Sequence, residues 1–245
     1  MFSFIKKNAV FLQDLTEGFV DIHSHLLFGI DDGAQSAEDT KHLLEAFIDL
    51  SFKKSITTPH TTMGIWNNTT NSILSKYEEV KKLFPKLTGS LQLQAASEYM
   101  MDDYFNDLYK TEPLLTLKDK YILVEISYRN PPLQLSEIIF DLQLKGYIPV
   151  LAHPERYIYY HSKDLEKYHQ LKRSGCLFQL NLLSVVGAYG SQVSRMADLL
   201  LKENLYDFAG SDVHRMEHIA LFKKKIQIKH IDQLKEVMAR NTIFL

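Results

Sequence analysis

From Phe19 to the C-terminus, short apolar runs rich in β-branched and aromatic residues alternate with longer stretches whose apolar residues recur at helical spacing. Seven runs read as strands, at 19–24, 55–58, 91–97, 121–126, 148–152, 177–181 and 206–211. Between them, Leu135, Ile138, Ile139 and Leu142 follow an i, i+3, i+4, i+7 pattern, as do Val193, Met196, Ala197 and Leu200. These are two core-facing helix stripes. The helix after the first strand is expected to start at Ser36, which can cap free backbone N–H groups while Glu38 and Asp39 favour the positive end of the helix dipole. Leu43, Leu44, Phe47 and Ile48 then form its buried face. Alternation of this kind builds repeated βαβ units around a parallel sheet. No internal repeat, low-complexity tract or Pro/Gly/Ser-rich linker interrupts it, so the expectation is one α/β domain, a closed or nearly closed β/α barrel.

Composition narrows the partners. With 245 residues and 45% hydrophobic content, the chain can bury a full core. A formal net charge of -2 and no long run of Lys and Arg give no field for gripping nucleic acid, so any phosphate must be held by a focused site. The lone Cys176 forms no internal disulfide, which suits a reducing compartment and points to the cytoplasm. The opening segment carries Lys6 and Lys7, but Gln13, Asp14, Thr16 and Glu17 break its apolar stretch, unlike a signal peptide. Phe2, Phe4, Ile5, Lys6 and Lys7 read either as a small amphipathic patch or as a tail. No stretch of about 18 apolar residues occurs, so no transmembrane helix is expected.

Barrels of this kind gather their functional groups at the C-terminal ends of the strands, where the loops converge. There the chain carries His23-Ser24-His25, His60, Glu98, His153 and Asp212-Val213-His214, with Asp32 in the loop after the first strand. Alternate residues of a strand face one side, so His23 and His25 can present two imidazoles to one ion, and Asp212 and His214 can do likewise. A single His-x-His arises often by chance. Five His and three carboxylates, repeatedly at strand ends, are a much stronger signal. Imidazole and carboxylate without thiolate suit Mn, Fe, Zn or a similar divalent ion. Eight ligands exceed the needs of one ion, so two or three are expected, with Glu98 as a bridge. The positive charge of such a cluster, less three carboxylates, matches a phosphate dianion and a hydroxide. Bound metal generates that hydroxide near neutral pH and stabilises phosphoryl charge, so phosphomonoester hydrolysis needs no protein nucleophile. Arg156 and Arg215, close to His153 and His214, can grip phosphate oxygens or pair with neighbouring carboxylates.

In order along the chain stand His23-Ser24-His25, Ile30-Asp31-Asp32-Gly33, Thr58-Pro59-His60, the stretches 121–125 and 141–149, His153-Pro154-Glu155-Arg156 and Ser211-Asp212-Val213-His214. Together, from about Val20 onward, they resemble the polymerase-and-histidinol-phosphatase (PHP) superfamily, and within it the bacterial CpsB/CapC/YwqE type of protein-tyrosine phosphatase. The resemblance implies a distorted seven-stranded β/α barrel with a trinuclear, usually manganese-preferring site that hydrolyses phosphotyrosine. It implies as substrate the tyrosine-rich tail of a membrane-bound kinase of capsule or exopolysaccharide assembly. Carried over by motif, the metal ligands are His23, His25, Asp32, His60, Glu98, His153, Asp212 and His214. Asp32 is preferred to Asp31 because the ligand of related Asp-Gly loops directly precedes the Gly. Two departures follow. Gln179 and Asn181 stand where many superfamily members offer another ligand, and 1–19 form an extension ahead of a catalytic domain at 20–245.

Other residues have plainer readings. His42, His161, His169, His218 and His230 are expected at the surface or in structural roles. Glu125 lines the pocket or makes a salt bridge or cap, and Tyr99, Tyr104 and Tyr128 flank a substrate ring or simply pack. A thiol-based phosphatase mechanism is excluded, because the residue six beyond Cys176 is Leu182 rather than Arg. Two alternatives remain open: a small-molecule phosphomonoesterase such as a histidinol-phosphate phosphatase, and a catalytically silent metal-binding regulator. An oligomer is compatible with either.

Overall fold

The computed structural model describes residues 9–245, so Phe2, Phe4, Ile5, Lys6 and Lys7 lie outside the described residues. Its strands are β1 (Val20–Asp21), β2 (Lys54–Thr57), β3 (His60–Thr61), β4 (Gln94–Ala95), β5 (Glu98–Met100), β6 (Tyr121–Glu125), β7 (Ile148–Ala152), β8 (Leu177–Asn181) and β9 (Phe208–Gly210). They form two sheets, β1-β2-β4 and β3-β5-β6-β7-β8-β9, in which every pairing is parallel. The fold is therefore mixed α/β with parallel sheets. Where the sequence suggested seven strands, the described residues form nine, because the second and third resume beyond their expected ends as β3 and β5. Pro59 sits in the first break, where it has no N–H to offer a ladder. An isolated parallel bridge from Ser24 to Val213, with the His25 amide donating to the Val213 carbonyl at 2.9 Å, joins the first strand region to the last.

The helices are α1 (Ala37–Asp49), α2 (Thr70–Leu83), α3 (Pro85–Ser90), α4 (Asp103–Thr111), α5 (Leu135–Leu144), α6 (Glu166–Arg173), α7 (Ser191–Lys202), α8 (Met216–Leu221) and α9 (Ile231–Arg240). Ser36 caps α1 as expected: its hydroxyl accepts from the Asp39 amide at 3.2 Å, and the Asp39 carboxylate accepts from the Ser36 amide at 2.9 Å. Both expected stripes are buried, on α5 and on α7. None of the described helices is long and apolar enough to cross a membrane.

Period-two alternation along β6, β7 and β8 divides the molecule into an inside and an outside. Ile122, Val124, Leu151, Phe178 and Leu180 belong to a large apolar cluster shared with the helices, while Leu123, Val150 and Ala152 join a smaller cluster with Phe208 and Phe244. Along β6, the next inward position after Leu123 is Glu125, and on β8 Gln179 and Asn181 share one face. The interior thus changes from apolar at one end of the strands to polar at the other. Ahead of β1, the Leu12 and Gln13 amides donate to the Lys224 and Phe222 carbonyls at 3.1 and 2.9 Å, and Leu12 and Phe19 are buried.

Candidate metal centre

The polar end of the interior collects all eight residues expected as ligands. Parallel pairing of β3 with β5 sets His60 directly beside Glu98. His23 and His25 follow β1, His153 follows β7, and Asp212 and His214 follow β9. Their donor atoms fall into overlapping groups within 4.8 Å: His25, Asp32, His60 and His214; His23, Glu98 and His153; His23, His25 and Asp212; and His60, Glu98 and Glu125. Glu98 and the two N-terminal imidazoles recur between groups, as shared or bridging positions would.

The donor chemistry fits divalent ions better than a hydrogen-bonded network. The Nε2 atom of His25 and the Nδ1 atom of His60 are buried and have no hydrogen-bond partner, although Glu98 and Asp212 oxygens lie 3.5 and 3.6 Å from the former and Glu125 Oε1 lies 2.9 Å from the latter. A buried imidazole nitrogen left unsatisfied is costly. Lone pairs that converge without being aimed at one another are what a common cation would satisfy. Burial opposes charge on Glu98 and Asp212, yet the opposite charges around them prevail. His23, His60 and neighbouring imidazoles hold Glu98 well below the usual carboxylate range, and His23, His25, His214 and Arg156 do the same to Asp212.

A surrounding layer orients these groups. Gln179 Oε1 lies 2.8 Å from His23 Nδ1, and Asp31 Oδ2 lies 2.7 Å from His25 Nδ1, so each imidazole turns its other nitrogen to the centre. Asp31 also accepts from the amides of Gly33 and His60 at 2.9 and 3.1 Å and is buried, whereas Asp32 is exposed with Oδ1 3.5 Å from His60 Nε2 and 3.4 Å from His214 Nε2. The two aspartates therefore divide the work: Asp32 faces the centre and Asp31 braces it. Asn181 Nδ2 and Arg156 donate to Asp212 Oδ2 at 2.6 and 2.8 Å, leaving Oδ1 near His23, His25 and His214.

The backbone is fitted to the same end. His153 and Asp212 adopt left-handed φ values of 38° and 52°, a region that His and Asp tolerate better than most residues and that is common at functional sites. At Gly210 an added Cβ would lie 2.6 Å from His23 Cβ, and at Gly33 one would lie 2.3 Å from the His25 carbonyl. Glycine at these two places lets the chain approach the imidazoles.

Several expectations are sharpened or corrected. Arg156 lies at the site with only 21% of its side chain exposed, its guanidinium 4.1 Å from the Tyr189 ring centre and 4.9 Å from that of Tyr128. Arg215 also borders the cavity, but its side chain is 65% exposed and approaches Glu217 only at 3.9 Å. Glu125 is buried against His60 rather than capping a helix. His218 is not a plain surface residue: its Nδ1 accepts from the His214 amide at 3.2 Å and it lines the cavity. Tyr189 had no motif to reveal it; it comes to the rim through the turn before α7 and meets Asn181 Nδ2 at 3.1 Å. Tyr99 packs in the core, its hydroxyl accepting from the Leu115 amide at 2.8 Å, and Tyr104 lies half-buried on α4. His42 is exposed, and His161 and His230 make structural bonds to the Glu155 carbonyl and the Asp198 carboxylate.

Residues 19–237 match the family model described as capsular polysaccharide synthesis, CpsB/CapC. The chain is 32% identical over 200 residues to tyrosine-protein phosphatase YwqE of Bacillus subtilis, covering 81% of this chain and 78% of that one. It is 27% identical to tyrosine-protein phosphatase CpsB of Streptococcus pneumoniae over 205 residues, covering 81% and 84%. A solved structure from work on YwqE and CpsB, described as unique metal-dependent tyrosine phosphatases, superposes with a TM-score of 0.73 at 27% identity, covering 90% of this chain and 86% of that one. Histidinol phosphate phosphatase of Lactococcus lactis shares the fold at a TM-score of 0.54 and 11% identity, over 91% of this chain and 94% of that one. By sequence over most of its length, this chain belongs to the CpsB/CapC family of capsular polysaccharide synthesis proteins.

Proposed function

We propose that this chain is a metal-dependent protein-tyrosine phosphatase whose metal ligands are His23, His25, Asp32, His60, Glu98, His153, Asp212 and His214. The observation that carries the reading is the convergence of these eight donors at one end of the strands, with two buried imidazole nitrogens facing it unpartnered. Membership of the CpsB/CapC family and similarity to proteins named tyrosine-protein phosphatases supply the substrate class. Two or three ions would be held at the centre; imidazole and carboxylate without thiolate suit Mn, Fe or Zn, and the family resemblance puts manganese first. When bound, they supply a nucleophile from water near neutral pH and offset charge on the phosphoryl oxygens.

The chain's own residues do the rest. Gln179 and Asp31 fix the His23 and His25 rings, and Asn181 fixes Asp212. Arg156 spends one terminal nitrogen on Asp212 and keeps further N–H donors for phosphate oxygens. Arg215, exposed at the rim, adds long-range attraction for a dianion. Cys176 takes no part: it is buried, with a thiol pushed up by burial to about 12.

We read the strand set as a distorted seven-stranded barrel and residues 20–245 as its catalytic domain. The substrate we assign is a phosphotyrosyl protein, the tail of a membrane-bound kinase of capsule or exopolysaccharide assembly, met in the cytoplasm. The test is hydrolysis of p-nitrophenyl phosphate and of a phosphotyrosyl peptide by the purified chain, abolished by chelator and restored by manganese. Full activity after exhaustive metal removal, or in a His23→Ala/His25→Ala variant, would end the proposal.

A further inference from the structure

The cavity over the centre, about 230 Å³, is lined by candidate metal ligands together with Glu125, His218, Arg156, Arg215, Tyr128 and Tyr189. Apart from Tyr128 and Tyr189, every one of these side chains is an imidazole, a carboxylate or a guanidinium. Such a wall recognises phosphate but says nothing about what the phosphate is attached to. Within this cavity, the two phenol rings are the groups that can meet the ester's organic part.

The two rings are not equivalent. The guanidinium of Arg156 lies 4.1 Å from the Tyr189 centroid, and the Tyr189 hydroxyl meets Asn181, so this ring is engaged in holding the arginine. Tyr128 also meets the Arg156 guanidinium, at 4.9 Å, packs near Tyr157 and stacks at 22° on His153 with centroids 5.7 Å apart, yet its residue remains 46% exposed. It follows β6 by three residues, on the loop that borders the cavity mouth. A phosphate seated between the candidate ligands and Arg156 would bring its ester substituent to this rim.

We infer that Tyr128 is a specificity-determining residue, an aromatic platform beside the phosphate site that selects aryl over alkyl phosphates. The inference rests on the phosphatase reading above and deepens it. An aryl group finds a ring to stack or pack edge-on against, whereas a seryl or threonyl carbon offers little surface. The contact acts on binding and leaves the reacting atoms alone.

The experiment compares equilibrium binding of phenylphosphonate and ethylphosphonate, by calorimetry, to manganese-loaded wild type, Tyr128→Ala and Tyr128→Phe, alongside kinetics on a phosphotyrosyl peptide. In Tyr128→Ala we expect phenylphosphonate affinity to fall roughly three- to tenfold, the span one aromatic pair provides, with ethylphosphonate affinity and metal content unchanged. The peptide KM should rise by a similar factor while kcat holds. Tyr128→Phe keeps the ring while removing the hydroxyl that lies 3.4 Å from His153 Nε2, and should retain the wild-type ratio of phenylphosphonate to ethylphosphonate affinity. Equal weakening of both phosphonates would show that Tyr128 merely steadies His153 and Arg156, and no weakening of either would show that the ring does not meet the ligand; both overturn the inference. Wild-type protein that binds phenylphosphonate but leaves the phosphotyrosyl peptide intact would instead defeat the phosphatase reading.

Discussion

At the scale of single residues, the layer behind the candidate ligands carries testable consequences. Asn181 touches Asp212 but not the centre itself, so Asn181→Ala should lower metal affinity or kcat/KM about 10- to 100-fold, as loss of such supporting bonds generally does. Titration with manganese and steady-state kinetics would read it, and wild-type values in both would refute the bracing role. His60 sets a pH dependence. Burial opposes its charged form, but Glu98 and Glu125 outweigh that and hold it up to about 9 in the metal-free chain, above the ordinary 6.5. Its raised value means that the charged imidazole stabilises the metal-free fold below about 6.5, and that this contribution is lost as pH rises through about 9. Metal must displace that proton, so affinity should increase with pH over the same window and binding should release protons, measurable by calorimetry in buffers of different ionisation enthalpy. A pH-independent affinity would contradict it. Cys176, with its thiol pushed up to about 12, should react with thiol reagents only after unfolding, and Cys176→Ala should keep turnover within about twofold.

Among elements, stability and site geometry separate along the strands. Leu142 on α5 is fully buried in the outer cluster, and Leu142→Ala should cost about 2–5 kcal/mol in urea denaturation while leaving kcat/KM little changed. Gly210 ends β9 against His23, where a methyl group would fall 2.6 Å from the His23 Cβ. Gly210→Ala should therefore cost about 1–3 kcal/mol and also reduce metal content, because the only relief is to move the imidazole or the strand. A variant that lost neither would refute the close packing of Gly210 against His23.

For the molecule as a whole, binding energy and folding energy are joined at one end of the strands. Ions that bind only the folded chain should raise Tm in proportion to the logarithm of their concentration, by about 2.7 kcal/mol of stability at a hundredfold excess over Kd, and chelator should reverse the shift in a thermal scan. Identical melting with and without metal would mean that the cluster holds no ion. Strand and helix periodicity, the Ser36 cap and both buried helix stripes were legible in the residues alone, because each depends on neighbours within a few positions. The convergence of the eight candidate ligands was legible too, since seven fall at strand ends in a repeated chemical type and Asp32 stands in a recognisable Asp-Gly loop. Long-range packing decided what local pattern could not carry. It broke the second and third strands, divided Asp31 from Asp32, turned Gln179 and Asn181 into braces, brought Glu125 and His218 to the centre and set Tyr189 under Arg156. The reason is physical: a side chain's type and strand position are written in one stretch of chain, but its partner is set by strand register and loop closure, across 31 residues for Asn181 and Asp212 and 156 for His23 and Gln179.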